Sequence, residues 1–484
     1  MHDILAGVFN PHQVGYAIDE SSTAGFHYTK ILHLSLLKIL FQWIHPSEGG
    51  LSIAVAVSMA LVGFAAVMAY RVFLAVLKDN RQAVLGLLCF LLAPVTPYLA
   101  GKLLSEVTAL PFVTICSWMM INASKHSERR RNGAVVACSG FLLLTSLARL
   151  DMVMSLVSCL AALVLTAETH KSRSEFFRFS LKVFAIWVTT YVLIAVMLGF
   201  PLANLSAYFL AFVDAGGKSS AMSALGVITF GGAVYLLAIL SVAQKNNRKV
   251  RFLMMWFAFA ILPHAMITQK YMIEPRYLAS ALVPLSGLGG VGLATLLKAF
   301  SGWKLRYVMA AGLLLSTISL NAIVVRLMPY ELDAKAILRG ASSILSRDRH
   351  AAILIPWSYT DYHFLRVMMP EAQLFNVDGS ARNSPSWRAR MTEWYGESYI
   401  DDETTVTRLL KNRPVYYLGW RKSPTAQNIK NLADTVGFRK LSSFVDSLPL
   451  KDHLADNWLW KSSNFSFEYS GQAKQYQYFR VGMK

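Results

Sequence analysis

The pattern of apolar and polar positions changes character near residue 329. Between 51 and 328, apolar runs follow one another with polar residues confined to short breaks. A run of roughly 18 or more apolar residues is long enough to cross a bilayer as a helix. The runs divide into about ten spans: 51–77, 82–100, 107–124, 132–148, 152–168, 180–200, 221–243, 252–268, 277–298 and 307–328. From 329 onward the periods are those of a soluble domain. "DAKAILRGASSIL" (333–345) has a helical period; "AAILIPW" (351–357), "AQLFNVD" (372–378) and "PVYYLGW" (414–420) read as strands. "TDYHFLRVM" reads as a helix capped by Thr360, and "SPTAQNIKNLADTVG" (423–437) as one stopped by glycine. The end, "SFEYSGQAKQYQYFRV", reads as a hairpin. The pattern therefore predicts an all-α membrane bundle over 51–328 followed by an α/β domain over 329–484. Residues 1–50 contain no span. The stretch "ILHLSLLKILFQWIH" (31–45) is amphipathic, about fifteen residues long, and carries His33 and Lys38, which suits a juxtamembrane helix lying in the interface.

Composition agrees with a membrane protein. Charged residues make up 15% of the chain and mean hydropathy is +0.41, where soluble chains carry about a quarter charged residues. The net charge of +19 would point to nucleic acid in a soluble protein. Here the basic residues of 51–328 fall mostly in short loops, so no polyanion partner is needed and nucleic acid is excluded as a partner. Alternate loops differ in charge. One set carries Lys78 and Arg81; Lys125 with Arg129, Arg130 and Arg131; Lys171, Arg173, Arg178 and Lys182; Lys245, Arg248, Lys249 and Arg251; Lys304 and Arg306. The other set carries only Lys102, Arg149, Lys218, Lys270 and Arg276. The positive-inside rule places the first set in the cytoplasm, so both the first 50 residues and the C-terminal domain face outward. Residues 1–30 hold no apolar signal-peptide core to carry that end across, and we expect a first helix upstream of Met1. Short loops fit a bacterial inner membrane, with the C-terminal domain in the periplasm or outside the cell. The four cysteines all lie inside apolar runs without metal-ligand spacing and read as small core residues.

Charges near span ends gather on the outward side in four clusters. These are Asp3 with Asp19–Glu20, Lys102 with Ser105–Glu106, Arg149 with Asp151, and Glu274 with Arg276. Charges at a membrane edge are costly and generally face a partner or a wet cavity, so one shared outward cavity is the economical account. Each cluster also has an ordinary explanation. Ser105–Glu106 can simply cap the helix that follows. Arg149 and Asp151, two apart, do not share a helix face and suit a turn whose register they fix. Asp19–Glu20 lies in a serine-rich stretch that suits a solvated turn, and His12 beside Pro11 reads as a loop residue. No metal site is assigned.

The segment "YMIEPRYLASALVPL" (271–285) sharpens the cavity reading. Pro275 favours an extended Glu274 before it and suits the first helical position. Arg276 then falls in a first helical turn, where a cation is locally unfavourable by a few tenths to about 1 kcal/mol. An anion, or Glu274 itself, offsets that cost. The free N–H groups of the turn and a guanidinium fork both match phosphate oxygens. The plainer account is an arginine snorkelling to lipid headgroups.

In this order the clusters resemble the GT-C superfamily of polytopic glycosyltransferases, above all the bacterial lipid-sugar-dependent enzymes related to protein mannosyltransferases and to the aminoarabinose transferase of lipid A. "LLSEVTALPF" resembles the Ser-Glu motif of their second outer loop, and "ARLD" the arginine segment after the next outward span. "EPRYLASALVPL" resembles their late segment, with Arg276, Tyr277, Leu278 and Pro284. "HYTKILHLSLLKIL" (27–40) resembles the end of their first outer loop. The resemblance covers roughly 1–330. It implies a polyprenyl-phosphate-linked sugar as donor, an extracytoplasmic acceptor (lipid, glycan or protein), contact with membrane lipids, and one inverting displacement at the anomeric carbon. A first-loop carboxylate takes the acceptor proton: Asp19 first, then Asp3, with Glu20 beside Asp19. The family's acid normally follows a first transmembrane helix, a context this sequence lacks. Arg276, Lys102 and Arg149 would contact the donor phosphate; Ser105, Glu106, Asp151, Glu274 and Tyr277 would position them or the acceptor. No cofactor is assigned and a divalent cation is left open. The alternative class is a transporter or flippase of lipid-linked sugars, for which mid-membrane charges and internal repeats are expected; the sequence shows neither. In the C-terminal domain, Tyr359, Tyr362, Trp387, Trp394, Tyr395 and Trp420 are candidates to stack on sugar, or core aromatics.

Overall fold

The computed structural model describes residues 48–101, 105–123, 128–197, 230–267, 275–299, 334–356, 371–377, 398–420, 457–473 and 476–484, with isolated positions elsewhere that include 32, 33 and 365. The chain forms two compact units, a helical one drawn from residues before 326 and an α/β one after it.

The helical unit runs α1 (Glu48–Leu77), α2 (Asn80–Leu92), α3 (Val95–Ala100), α4 (Ser105–Ala123), α5 (Glu128–Ala148), α6 (Val153–Leu165), α7 (His170–Met197), α8 (Val234–Ser241), α9 (Arg248–Ile267) and α10 (Leu282–Ala299). Two 3₁₀ turns, Leu150–Met152 and Pro275–Ala281, lead into α6 and α10. Five described helices are long and apolar enough to cross a membrane: Val55–Leu77, α4, Arg131–Ala148, α7 and Leu278–Ala299. The expected run 307–328 lies, apart from isolated positions, outside the described residues. α10 and α4 are the inner helices, with 83% and 72% of their apolar windows buried against 22% for α7. On α7, Phe177, Leu181, Leu193 and Val196 are exposed, which is what a lipid-facing helix presents.

The expected single span 82–100 is broken. Pro94 biases the residue before it toward extended backbone, and Ala93 takes φ −60° and ψ 129°, ending α2. Thr96 Oγ1 donates to the Phe90 carbonyl at 2.5 Å, satisfying a group freed at the break, and α3 then continues to Ala100. Polar side chains also fasten helix to helix. Ser139 Oγ reaches Val135 O and Val183 O at 2.8 and 3.1 Å, tying α5 to α7, and Trp256 Nε1 donates to Ser155 O at 2.8 Å, tying α9 to α6. Such bonds count in a bilayer because association there cannot draw on expulsion of water.

The α/β unit has a six-stranded sheet in the order β3-β2-β1-β4-β6-β5. The strands are β1 (Ala352–Pro356), β2 (Gln373–Val377), β3 (Tyr399–Ile400), β4 (Val415–Trp420), β5 (Phe465–Ala473) and β6 (Tyr476–Met483). The first four are parallel, and β6 and β5 add an antiparallel hairpin at the β4 edge. The helix α11 (Ala334–Arg347) sits on one face through Ala336, Ile337, Ala341 and Ile344, against Ile353, Ile355 and Leu374. The other face packs Leu354, Val377, Tyr417 and Phe479 with Val406 of α12 (Glu403–Asn412) and Leu459 of α13 (Trp458–Lys461). The sequence pattern reveals β1, β2, β4 and the hairpin. It misses β3, two residues long, and α12, whose apolar stripe is only Val406, Leu409 and Leu410. The helices expected over "TDYHFLRVM" and 423–437 lie almost wholly outside the described residues, as do Tyr359, Tyr362, Trp387, Trp394 and Tyr395.

α12 carries a pH dependence. Asp402 caps it, Oδ1 accepting from Thr405 N at 2.8 Å and Oδ2 from Thr405 Oγ1 at 2.8 Å. Partial burial pushes the Asp402 carboxyl up, but the Thr405 and Thr404 donors outweigh it and hold the group below the usual aspartate value. Glu403 is also lowered, by Ser462 Oγ at 2.5 Å and Asn464 Nδ2 at 2.6 Å. Both folded values lie under the unfolded ones, so this stabilisation is complete above the ordinary values of 3.8 and 4.5 and is lost as pH falls through the folded ones. Protection of the 403–412 amides, corrected for the intrinsic pH dependence of exchange, is expected to fall selectively as pH drops below the ordinary values of 4.5 and 3.8. Asp402→Ala is expected to cost that helix about 1 kcal/mol at pH 7, and Asp402→Asn much less.

Candidate functional site

The helical unit has two chemically distinct ends. One gathers basic residues: Arg131 pairs with Glu175 at 3.3 Å, Arg248 with Glu168 at 2.8 Å, and Lys249 Nζ donates to Leu77 O at the end of α1. A cation on the last carbonyls of a helix meets its negative pole. At the other end α5 stops at Ala148, α4 begins at Ser105, and both 3₁₀ turns lie. The candidate site is there.

Its centre is Arg149. The residue leaves α5 in extended backbone, φ −167° and ψ 112°, and its N–H still bonds to Thr145 O at 2.7 Å. That geometry turns the side chain back over the Leu150–Met152 turn. Nε donates to Asp151 Oδ1 at 2.6 Å and Nη2 to Asp151 Oδ2 at 2.9 Å, a bidentate pair. Nη1 crosses to α4, donating to Ser105 Oγ at 2.9 Å with Glu106 Oε1 at 3.0 Å. The Glu106 contact is an ion pair by distance rather than an aligned hydrogen bond. Ser105 Oγ in turn lies 3.2 Å from Glu106 Oε2. The side chains of Arg149 and Glu106 are 7% and 1% exposed, that of Asp151 32%. Buried charges persist only when paired and hydrogen-bonded; Arg149 and Glu106 are paired with each other, Arg149 is hydrogen-bonded to Asp151 and Ser105, and Glu106 accepts from the Ser105 hydroxyl.

The Asp151 pair is the register-fixing turn expected from the sequence. The join between Arg149 and Ser105–Glu106 unites two of the four sequence clusters, 44 residues apart in the chain. Ser105 and Glu106 lie inside the first turn of α4, not before it, and their side chains serve Arg149 as well as the helix pole. The Pro275–Ala281 turn packs against the Leu150–Met152 turn, α3 and α4. The backbone of Arg276 and Tyr277 therefore sits at the same end, with Pro275 opening the turn as expected. Their side chains, and Lys102 and Glu274, lie outside the described residues, as do Asp3, Asp19 and Glu20.

One residue of this end is not assigned by the sequence. His33, expected on an interfacial helix, is 5% exposed, and its Nδ1 lies 2.9 Å from Thr108 Oγ1 of α4. Thr108 stands three residues after Ser105, on the same helix face. The only sequence signal is a histidine in an amphipathic stretch. Among the described residues no group of three or more His, Cys, Asp and Glu could hold a metal ion.

The fold is shared with a solved structure. The crystal structure of ArnT from Cupriavidus metallidurans bound to undecaprenyl phosphate aligns over 93% of this chain and 87% of its own, at 15% identity and a TM-score of 0.50. The apo form of the same protein aligns over 94% and 87%, at 14% identity and a TM-score of 0.48. No family model matches the chain, and no curated protein does.

Proposed function

We propose that this chain is an integral membrane glycosyltransferase that takes a sugar from a polyprenyl-phosphate carrier and passes it to an extracytoplasmic acceptor by inverting displacement. The observation that carries this reading is the meeting of the Arg149–Glu106–Asp151–Ser105 group with the Arg276 turn at the less basic end of a helical bundle. The ArnT structure with which it shares its fold holds undecaprenyl phosphate, the carrier chemistry that such a site suits.

In the proposed mechanism the roles divide by what each side chain has left to offer. Three of Arg149's donors are spent on Asp151 and Ser105, and its charge is shared between two carboxylates. It is better suited to holding Glu106 and Asp151 than to gripping a departing phosphate. That task falls to Arg276 and Lys102, with the N–H groups of the Pro275–Ala281 turn adding partial positive charge. Asp151, the most exposed of the three charged groups, would orient the acceptor. The acceptor proton would go to the first-loop carboxylate, Asp19 ahead of Asp3 and Glu20, in line with attack on the anomeric carbon.

The test uses purified protein in lipid nanodiscs with labelled polyprenyl-phosphate sugar and a cell-envelope lipid extract as acceptor. Wild type is expected to transfer label. Arg276→Ala is expected to lose about 10²–10³-fold in turnover, as removal of a charge-stabilising donor does elsewhere, and Glu106→Gln to lose transfer while remaining monodisperse. Movement of the labelled carrier across vesicles without transfer would instead establish a transporter.

A further inference from the structure

In the segment that follows the first loop, the described residues Leu32, His33, Ser35 and Leu36 are helical, and of these four it is the histidine that is buried, while both leucines are half-buried. An amphipathic helix lying in the interface should turn its leucines inward and its imidazole to the headgroups. The inversion desolvates the ring, a cost that a hydrogen bond has to offset. Nδ1 finds that bond on the Thr108 hydroxyl, 2.9 Å away on α4. Thr108 is buried too, and valine, with the same shape, would fill its place without a hydroxyl. A leucine and a valine could make this contact with no loss of stability, since replacing both partners of a buried hydrogen bond by apolar groups is nearly neutral or favourable.

What the polar pair adds is direction. Apolar packing tolerates a segment that slides or rolls, whereas a buried hydrogen bond is satisfied at one register only, the use that buried polar groups have in helical bundles. The register fixed here is that of the first loop against α4. Leu32 packs on the apolar core to which α4 contributes, and His33 and Thr108 both belong to the helical unit. On α4 the contact lies one turn from Ser105, whose Oγ accepts from Arg149 Nη1 at 2.9 Å and lies 3.2 Å from Glu106 Oε2. One helix face therefore carries the anchor of the loop and the Ser105 link to Arg149 on consecutive turns.

We infer that His33 is a positioning residue of the proposed transferase: through Thr108 it seats the first loop at one register on α4, beside the Arg149–Glu106 group. The inference rests on the transferase reading, in which that loop supplies the base. His33 acts through the loop and not on the substrate. A displacement of about 1 Å at a reacting group can cost on the order of 10²-fold in rate, so a loosely seated loop loses turnover while donor binding at Arg276 and Lys102 persists.

The experiment measures transfer from labelled polyprenyl-phosphate sugar by full-length protein in nanodiscs, together with the melting of each variant. His33→Leu and Thr108→Val are each expected to lower kcat by about 10–10²-fold with the donor KM little changed. The double variant is expected to lose no more than either alone, because the same bond is removed in all three. His33→Asn, whose amide stands where Nδ1 does, and Thr108→Ser are expected to recover most of the turnover. Melting of the double variant is expected to hold level or rise, so that activity and stability part; a bond with only a structural role would lower both together. Hydrogen exchange across Glu20–Leu37 is expected to quicken in the double variant, which reads the seat of the loop without reading transfer. If His33→Leu does not fold, Thr108→Val removes the same bond from the α4 side and decides the matter. Wild type that transfers no sugar overturns the transferase reading and this role with it. Wild type that transfers sugar while both single variants keep full turnover overturns the role of His33 alone, and so does a loss of kcat that follows melting.

Discussion

Replacing Arg149 with methionine is expected to destabilise the helical unit by about 3–5 kcal/mol, the cost of removing one partner of a buried ion pair. Glu106 is 1% exposed, and Arg149 lies 3.0 Å from it. Methionine preserves most of the side-chain volume, so the loss reports charge and not a cavity. Arg149→Lys is expected to recover only part of the loss, because an ammonium cannot hold both Asp151 oxygens and still reach α4. The double variant Glu106→Gln with Arg149→Met is expected to be more stable than Arg149→Met alone, since the buried carboxylate charge is gone. Apparent melting in detergent, read by size-exclusion chromatography of heated samples for wild type, Arg149→Met, Glu106→Gln and the double variant, closes a double-mutant cycle. Additive losses from the two single changes would show that the pair contributes nothing jointly, and Arg149 would return to the candidate phosphate contacts.

This result also bears on how much of the site was legible in the sequence. The residue types and their outward side could be read from the loop charges and from the positions of Ser105, Glu106, Arg149 and Asp151 near span ends. Their partnership could not. It depends on one extended residue at φ −167° between two helices, which folds a guanidinium back on a carboxylate two positions later. It depends also on α4 and α5 lying side by side in antiparallel order, so that residues 44 apart meet. The His33–Thr108 contact, 75 residues apart, has no periodic signature at all. In the α/β unit, hydrophobic runs located the buried strands, but strand order is set by crossover connections that periodicity does not encode.

The second large effect comes from backbone proximity. In α10 the run "SGLGGVGLA" places Gly290 against Gly86 of α2 and Gly292 against the Leu237 carbonyl of α8. A Cβ on Gly292 would overlap that carbonyl. One on Gly290 would overlap the Gly86 backbone and stand 3.0 Å from Gln82 O. Neither neighbour is a flexible side-chain end, so a whole helix has to move, and α10 is the most buried of the candidate spans. Small residues at such crossings are what let helices approach in a bilayer, where dispersion and close packing carry association. Gly292→Ala and Gly290→Ala are therefore expected to abolish the monodisperse folded protein or lower its melting by well over 3 kcal/mol equivalent, beyond the ordinary range for single substitutions. Gly63 of α1 and Gly140 of α5 have nothing within 4 Å of the same built atom. There alanine removes only the entropic cost of helical glycine, and a gain of roughly 0.5–1 kcal/mol is expected. The four substitutions add the same methyl group, so helix propensity predicts four gains and close packing predicts two gains and two failures. Folded Gly292→Ala protein with unchanged melting would mean that α8 and α10 do not cross at this point.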